Sequence, residues 1–274
     1  MFLLAFSFNT QGKDSISWAV GHLPPKLILE EPDKLGGQGG IQLQLLQDKL
    51  KDEYQHRNVD MNWLRFENEQ KSQNKVCSSF MVKNAERLKY SVFSLPWGIE
   101  LSLKIIMRSN TFDAMGRPAL VSMSELLQND SLAGVLVEGR TYYSLEEIIS
   151  AHTKTNITRL PTNANKLLAM LNAGRFDYFV EYPHVAMYMQ EQSGDEVSAI
   201  APVTIKEGFE YIFSRIACPN NQWGKQVIER VNEIIRQERA KPNFLALLQM
   251  IHPRDEERQK VAEIYHRDFM TAEQ

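Results

Sequence analysis

The chain has 274 residues, 43% hydrophobic and 24% charged, with a formal net charge of −3. That length suits one large or two ordinary domains with a substantial core, and the charge balance offers no footprint for a nucleic-acid partner. No run approaches the roughly 20 apolar residues of a membrane-spanning helix, so a soluble globular protein is expected.

The opening "MFLLAFSF" reads like the apolar part of an export signal, short and with no basic residue before Lys13, so residues 1–12 are taken as its remnant. The alternative is an apolar N-terminal strand. "SISWAVG" (15–21) is β-rich and is stopped by Pro24 and Pro25. "GGQGG" (36–40) then forms a turn before a helix in which Ile41, Leu45, Leu46 and Leu50 recur at helical spacing. It lacks the Lys-Ser/Thr of a phosphate loop and fits no G-x-G-x-x-G register. "VDMNWLRF" (59–66) and "VCSSFMV" (76–82) read as strands, residues 84–90 as a short helix capped by Asn84, and "SVFS" and "LSLKIIMR" (101–108) as strands.

A second unit follows the composition change at "SNTFDAMGRP". "LAGVLVEG" (132–139) is a strand, and Ser144 caps a helix with Glu146 and Glu147 in its first turn. "NITRLP", the helix "NANKLLAMLNAG", the strand "FDYFVEY" and the helix "HVAMYMQEQ" continue the alternation, which predicts α/β units with parallel strands. "FEYIFSRIACP" (209–219) is a last strand, and the pattern from Gln222 onward is mostly helical.

Two cysteines, Cys77 and Cys218, admit either one long-range bridge in an oxidising compartment or two buried thiols in a reducing one. Six scattered histidines form no H-E-x-x-H pair or Cys/His cluster, so neither a metal nor a cofactor is implied. The remaining chemistry sits at three strand-to-helix turns, where open α/β sheets place ligands. These are Asn84 to Arg87, the "EGRTYYS" turn with Gly139, Arg140, Thr141 and Tyr142, and "RLPTNAN" with Thr162 and Asn163. Helix starts of this kind hold anions through unpaired backbone N–H groups, and ordinary capping is the bland alternative.

"KNAERLKYSVFSLPW" (83–97) in the first unit and "LLAMLNAGRFDYFVEYPHVAMY" in the second, in that order, resemble the type II periplasmic solute-binding proteins. The likeness is to the amino-acid-binding branch of ABC transporter substrate-binding proteins and spans about residues 15–245. It implies a two-lobed α/β fold, each lobe a mainly parallel sheet flanked by helices, joined by two hinge crossings. Lobe one would be residues 13–108 plus 205–274, and lobe two residues 109–204, with residues 240–274 as extra lobe-one helices. The implied function is non-catalytic capture of a carboxylated or zwitterionic, amino-acid-like solute by hinge closure, with Arg87 on its carboxylate. A guanidinium matches a carboxylate with a planar fork of donors.

The chain departs from that pattern. Phe80 and Val82 replace hydroxyl residues, Leu23 beside His22 replaces an aromatic, and Tyr182, next to Glu181, holds the place of an acid. Trp18, Trp97, Tyr142 and Tyr182 are candidates to stack on a ligand, and Arg140 is a candidate second anion contact. The resemblance further implies an exported, periplasmic monomer, its partners a small molecule and an ABC permease or membrane sensor, and it favours the Cys77–Cys218 bridge. The rival reading is an enzyme on the same framework with Glu181 or Asp177 as acid-base group.

Overall fold

The computed structural model describes residues 13–31, 34–138, 140–152, 156–162, 164–194 and 199–273. The expected signal remnant, Gly139 and Asn163 lie outside the described residues.

The first half runs β1 (Asp14–Val20), β2 (Ile28–Glu31), β3 (Lys34–Gly36), α1 (Gly37–Leu50), β4 (Tyr54–Asp60), α2 (Trp63–Lys71), β5 (Val76–Val82), a 3₁₀ turn (Arg87–Lys89) and β6 (Ser91–Leu101). Then come β7 (Lys104–Arg108), α3 (Ser109–Ala114), β8 (Leu120–Val121), α4 (Met123–Gln128), β9 (Gly134–Val137), α5 (Ser144–Ala151), β10 (Ile157–Leu160), α6 (Ala164–Asn172), β11 (Tyr178–Glu181), α7 (Pro183–Gln192) and β12 (Ile200–Ile205). The chain closes with β13 (Tyr211–Pro219), α8 (Gln222–Glu238), α9 (Pro242–Gln249), α10 (Asp255–Ile264) and a π-helical turn (Tyr265–Phe269).

These strands form two separate main sheets, ordered β4-β1-β5-β13-β6 and β10-β9-β11-β7-β12-β8. β1 pairs in parallel with β4 and β5, and β9 in parallel with β10 and β11, as the α/β alternation requires. β13 and β7 run antiparallel to their neighbours, because each belongs to a segment that has just crossed from the other lobe. The division expected after residue 108 falls one strand late. Ile105, Ile106 and Met107 are all fully buried, Ile106 against α6 and α7 and the other two against the opposite layer, so β7 is an interior strand of the second sheet. The crossings therefore lie at Ser102–Leu103 and between Ile205 and Tyr211.

Three further expectations change. Residues 63–66 are helical rather than extended, because the Asn62 side chain accepts the Arg65 N–H at 2.9 Å and starts α2. The strand expected to end at Ser94 continues through Pro96 to Leu101, which is allowed because β6 is an edge strand. Ser144 is the first residue of α5 rather than its cap, and its hydroxyl donates to the Glu207 carbonyl at 3.0 Å.

The glycines of "GGQGG" have a packing explanation. Gly37 has φ +74°, and a Cβ there would lie 2.3 Å from the Pro25 carbonyl oxygen. A Cβ on Gly39 would lie 2.6 Å from the Phe80 ring, while its N–H donates to the Lys26 carbonyl at 2.6 Å. The start of α1 is thus spent on the Pro24–Lys26 turn rather than held open for a phosphate.

Cys77 of β5 and Cys218 of β13 are joined in a disulfide within the first sheet. The C-terminal helices complete that lobe: Phe244, Leu248, Val261, Ile264 and Phe269 share one core with Trp18, Leu46, Trp97 and Val231. They also hold the second crossing, where Glu210 pairs with Lys260 at 2.6 Å and Arg267 at 3.2 Å, and the Tyr211 hydroxyl donates to Asp268 at 2.6 Å.

Candidate functional site

The C-terminal ends of β5 and β9 carry two of the three turns singled out in the sequence, which come to the junction of the two lobes, and the third, with Thr162, follows β10. In the first lobe the Asn84 side chain accepts the Arg87 N–H at 2.8 Å, the capping role expected of it. The half-buried Arg87 side chain curls back to donate from Nη1 to the Val82 carbonyl at 2.8 Å. No acid among the described residues forms an ion pair with it. Its charge is felt by the Glu67 carboxylate and the Tyr90 phenol of its own lobe and, across the junction, by the Tyr143 phenol of the second.

On the second lobe, Arg140 makes a bidentate pair with Glu181, at 2.5 Å to Oε2 and 2.7 Å to Oε1. The Glu181 side chain is 1% exposed and that of Arg140 18%. Burial disfavours the Arg140 charge, and Glu181 more than offsets it. The guanidinium also lies over the rings of Tyr142 and Tyr182, 5.3 and 5.4 Å from their centroids. Glu181 Oε1 accepts the Tyr182 N–H as well, so the carboxylate is fully engaged within its own lobe. Asp177 is likewise committed, to Arg108 at 3.0 Å and to the Ala133 N–H at 2.9 Å, where it fastens the start of β11.

Tyr143, just before α5, has φ +55° and ψ −120°, a conformation that costs a bulky residue about 1–3 kcal/mol and marks functional turns. Burial pushes its phenol up, opposed by a hydrogen bond with Tyr182 and by the charges of Arg140 and Arg87. The Tyr182 phenol, also buried, lies well above its ordinary range. Tyr143 packs edge-on against Phe209 at 5.3 Å, and Tyr182 stacks on His184 at 5.5 Å.

Lys26 meets this junction from the first lobe. Only 5% exposed, it pairs with buried Glu100 and lies 4.5 Å over the Phe80 ring. Burial pushes its ammonium down to about 7. His184 of α7 packs edge-on at 5.4 Å against His252, in the corner between α9 and α10, so the C-terminal helices touch the second lobe directly. Burial, with His252, Lys26 and Arg140 nearby, holds the His184 ring well below its usual range and therefore neutral. At the rim, a groove of about 340 Å³ is lined by His22 and Pro24 of the first lobe and by Tyr188, Met189, Gln192 and Ser193 of α7.

Three candidate stacking residues are core instead. Trp18 is fully buried and donates to His56 at 3.1 Å, and Trp97 is fully buried against Phe244 at 5.2 Å. Both point to the helix layer of the first lobe, because alternate residues of a strand face opposite sides. Tyr142 is also fully buried, its hydroxyl accepting the Val137 N–H at 2.8 Å to brace the turn below Arg140. Phe80, Val82, Thr141 and Thr162 are half-buried, and His22 is exposed.

Sequence reasoning missed Lys26, Glu100, Tyr143, His184 and His252. Nothing local marks the Lys26–Glu100 pair, 74 positions apart, or a histidine contact between residues 68 positions apart.

No family model and no curated protein sequence matches the chain. Solved structures do match it. One from work on glutathione import in Gram-positive bacteria, via GshT and the cystine ABC importer TcyBC of Streptococcus mutans, superposes with a TM-score of 0.70 at 13% identity, covering 88% of this chain and 95% of that one. A histidine kinase sensor domain with similarity to periplasmic binding proteins gives 0.69 at 16% identity, over 88% and 97%. The amino acid ABC transporter substrate-binding protein AbpA of Streptococcus pneumoniae, bound to L-arginine, gives 0.66 at 16% identity, over 91% and 96%. With these as its structural neighbours, the chain has the two-lobed fold of the type II periplasmic solute-binding proteins.

Proposed function

We propose that this protein captures a small carboxylated solute between its lobes, closing about the two crossings, and does no chemistry on it. The observation that carries the reading is Arg87, a cation with no acidic ion-pair partner among the described residues, curled over the end of β5, with its charge reaching the strained Tyr143 of the other lobe. A carboxylate received there replaces water on a guanidinium face with charge-assisted hydrogen bonds, each contributing roughly 1.5–3 kcal/mol. Two such bonds supply a large part of the ~8 kcal/mol behind micromolar binding.

In this reading the protein works outside the cytoplasm as a monomer, and closure is what a partner senses. The partner is an ABC permease or a membrane sensor; both kinds of system occur among the structural neighbours. Among the described residues no helix is long and apolar enough to cross a membrane. The acid-base reading finds less support, since Glu181 and Asp177 are both held in ion pairs.

Calorimetry with a panel of organic acids, amino acids and small peptides, run beside product assays, tests the proposal. Stoichiometric heat without turnover is expected. Arg87→Ala should abolish ligand-induced thermal stabilisation while leaving the unliganded melting temperature unchanged. An undiminished ligand response in that variant removes Arg87 from the site.

A further inference from the structure

We infer that the cleft takes an organic anion carrying a carboxylate and no ammonium group, with a planar or aromatic body, in place of a zwitterionic amino acid. This rests on the solute-capture reading above and narrows its ligand.

The argument is a charge census of the interior. An ammonium taken out of water needs an acid to face it, since an unpaired buried charge is strongly disfavoured. Four acids are buried among the described residues: Glu100, Glu181, Glu238 and Glu257. Each already has a basic partner. Glu100 pairs with Lys26, Glu181 with Arg140, Glu238 with Lys49 and Lys241, and Glu257 with Arg254. The remaining acid of the lobe-two turn, Glu138, is exposed. At Glu100, Glu181 and Glu238 a ligand ammonium would have to break a pair and leave another cation stranded, and Glu257 Oε2, which accepts no hydrogen bond, already faces His252 Nδ1 at 3.9 Å.

The position next to Glu181 is held by Tyr182, whose phenol is held well above its ordinary range by burial and stays neutral. A phenol offers no counter-charge to an ammonium. A carboxylate, by contrast, finds Arg87 unpaired with any acid among the described residues, with one donor spent on a carbonyl out of the five a guanidinium carries.

The walls favour a flat body. Phe80, Tyr143, Tyr182 and Phe209 bring aromatic surface to the junction. Aromatic faces of this kind hold planar groups by offset or edge contacts.

The test uses three probes on one carbon skeleton: 3-phenylpropanoate (anion), L-phenylalanine (zwitterion) and 2-phenylethylamine (cation), with the twenty free amino acids and a set of aromatic and aliphatic carboxylates alongside. Thermal shift and calorimetry on the full chain should show 3-phenylpropanoate binding at least tenfold tighter than phenylalanine, and no response to the amine. Arg87→Gln should lose at least tenfold of the anion affinity, with circular dichroism confirming the fold. An amino acid binding as tightly as the best carboxylate overturns the inference while solute capture stands. Silence toward every carboxylate overturns it too, and silence toward the amino acids as well overturns both.

Discussion

Replacing Glu181 by glutamine tests the electrostatics of the second lobe most directly. Glutamine keeps the shape and one acceptor but removes the charge and the second arm of the fork, so Arg140 is left as a buried cation between two tyrosine rings. Breaking such a pair from one side costs about 3–5 kcal/mol, and the 18% exposure of the arginine side chain places this case near the lower figure. For a chain of this size each kcal/mol shifts the melting temperature by roughly 2–4 °C, so about 6–12 °C should be lost. Circular dichroism melts and urea titrations measure it, and the Arg140→Met/Glu181→Leu double variant is the control. Removing both charges should restore stability to within about 1 kcal/mol of the parent or exceed it, because neither ion then needs desolvating. A Glu181→Gln protein within about 1 kcal/mol of the parent would refute the claim that Arg140 depends on this carboxylate.

The disulfide spans 141 residues, for which loop-closure entropy gives about 5 kcal/mol as an upper figure; the Cys77→Ser/Cys218→Ser variant should melt lower by a matching amount, and native protein should resist thiol labelling until reduced. His184 is neutral and depressed in the fold but ordinary when unfolded, so the unfolded chain binds the extra proton. Its contribution is therefore intact above about pH 6.5 and is lost as pH falls below that, by about 1.4 kcal/mol per pH unit; His184→Phe should flatten this part of a stability-pH curve. Asn62→Ala should cost ~1 kcal/mol in urea unfolding by removing the cap of α2, and an unchanged midpoint would assign the start of that helix to tertiary packing instead.

What was legible in the sequence was what local pattern encodes. The alternation of "LAGVLVEG", "NANKLLAMLNAG" and "FDYFVEY" identified β9, α6 and β11 because a parallel sheet covered on both faces needs continuous apolar strands and amphipathic helices. The Asn84 cap was legible because the capping amide sits three residues before the N–H it accepts. The placement of β7 was not legible, since an apolar strand fits the middle of either sheet and only its partners decide. Trp18 and Trp97 looked like stacking residues because sequence reveals an aromatic ring but not which face of the sheet receives it. The pairs Lys26–Glu100 and His184–His252 join positions 74 and 68 residues apart, so no spacing rule could reveal them.

The clasp of Lys260, Arg267 and Asp268 on Glu210 and Tyr211 gears the last helices to the second crossing. Any rotation of one lobe against the other must drag on that clasp and on the histidine contact at once. A pair of spin labels, one on an exposed face of α10 and one on α7, would then read the closing angle as a distance, with no need to know what the cleft holds.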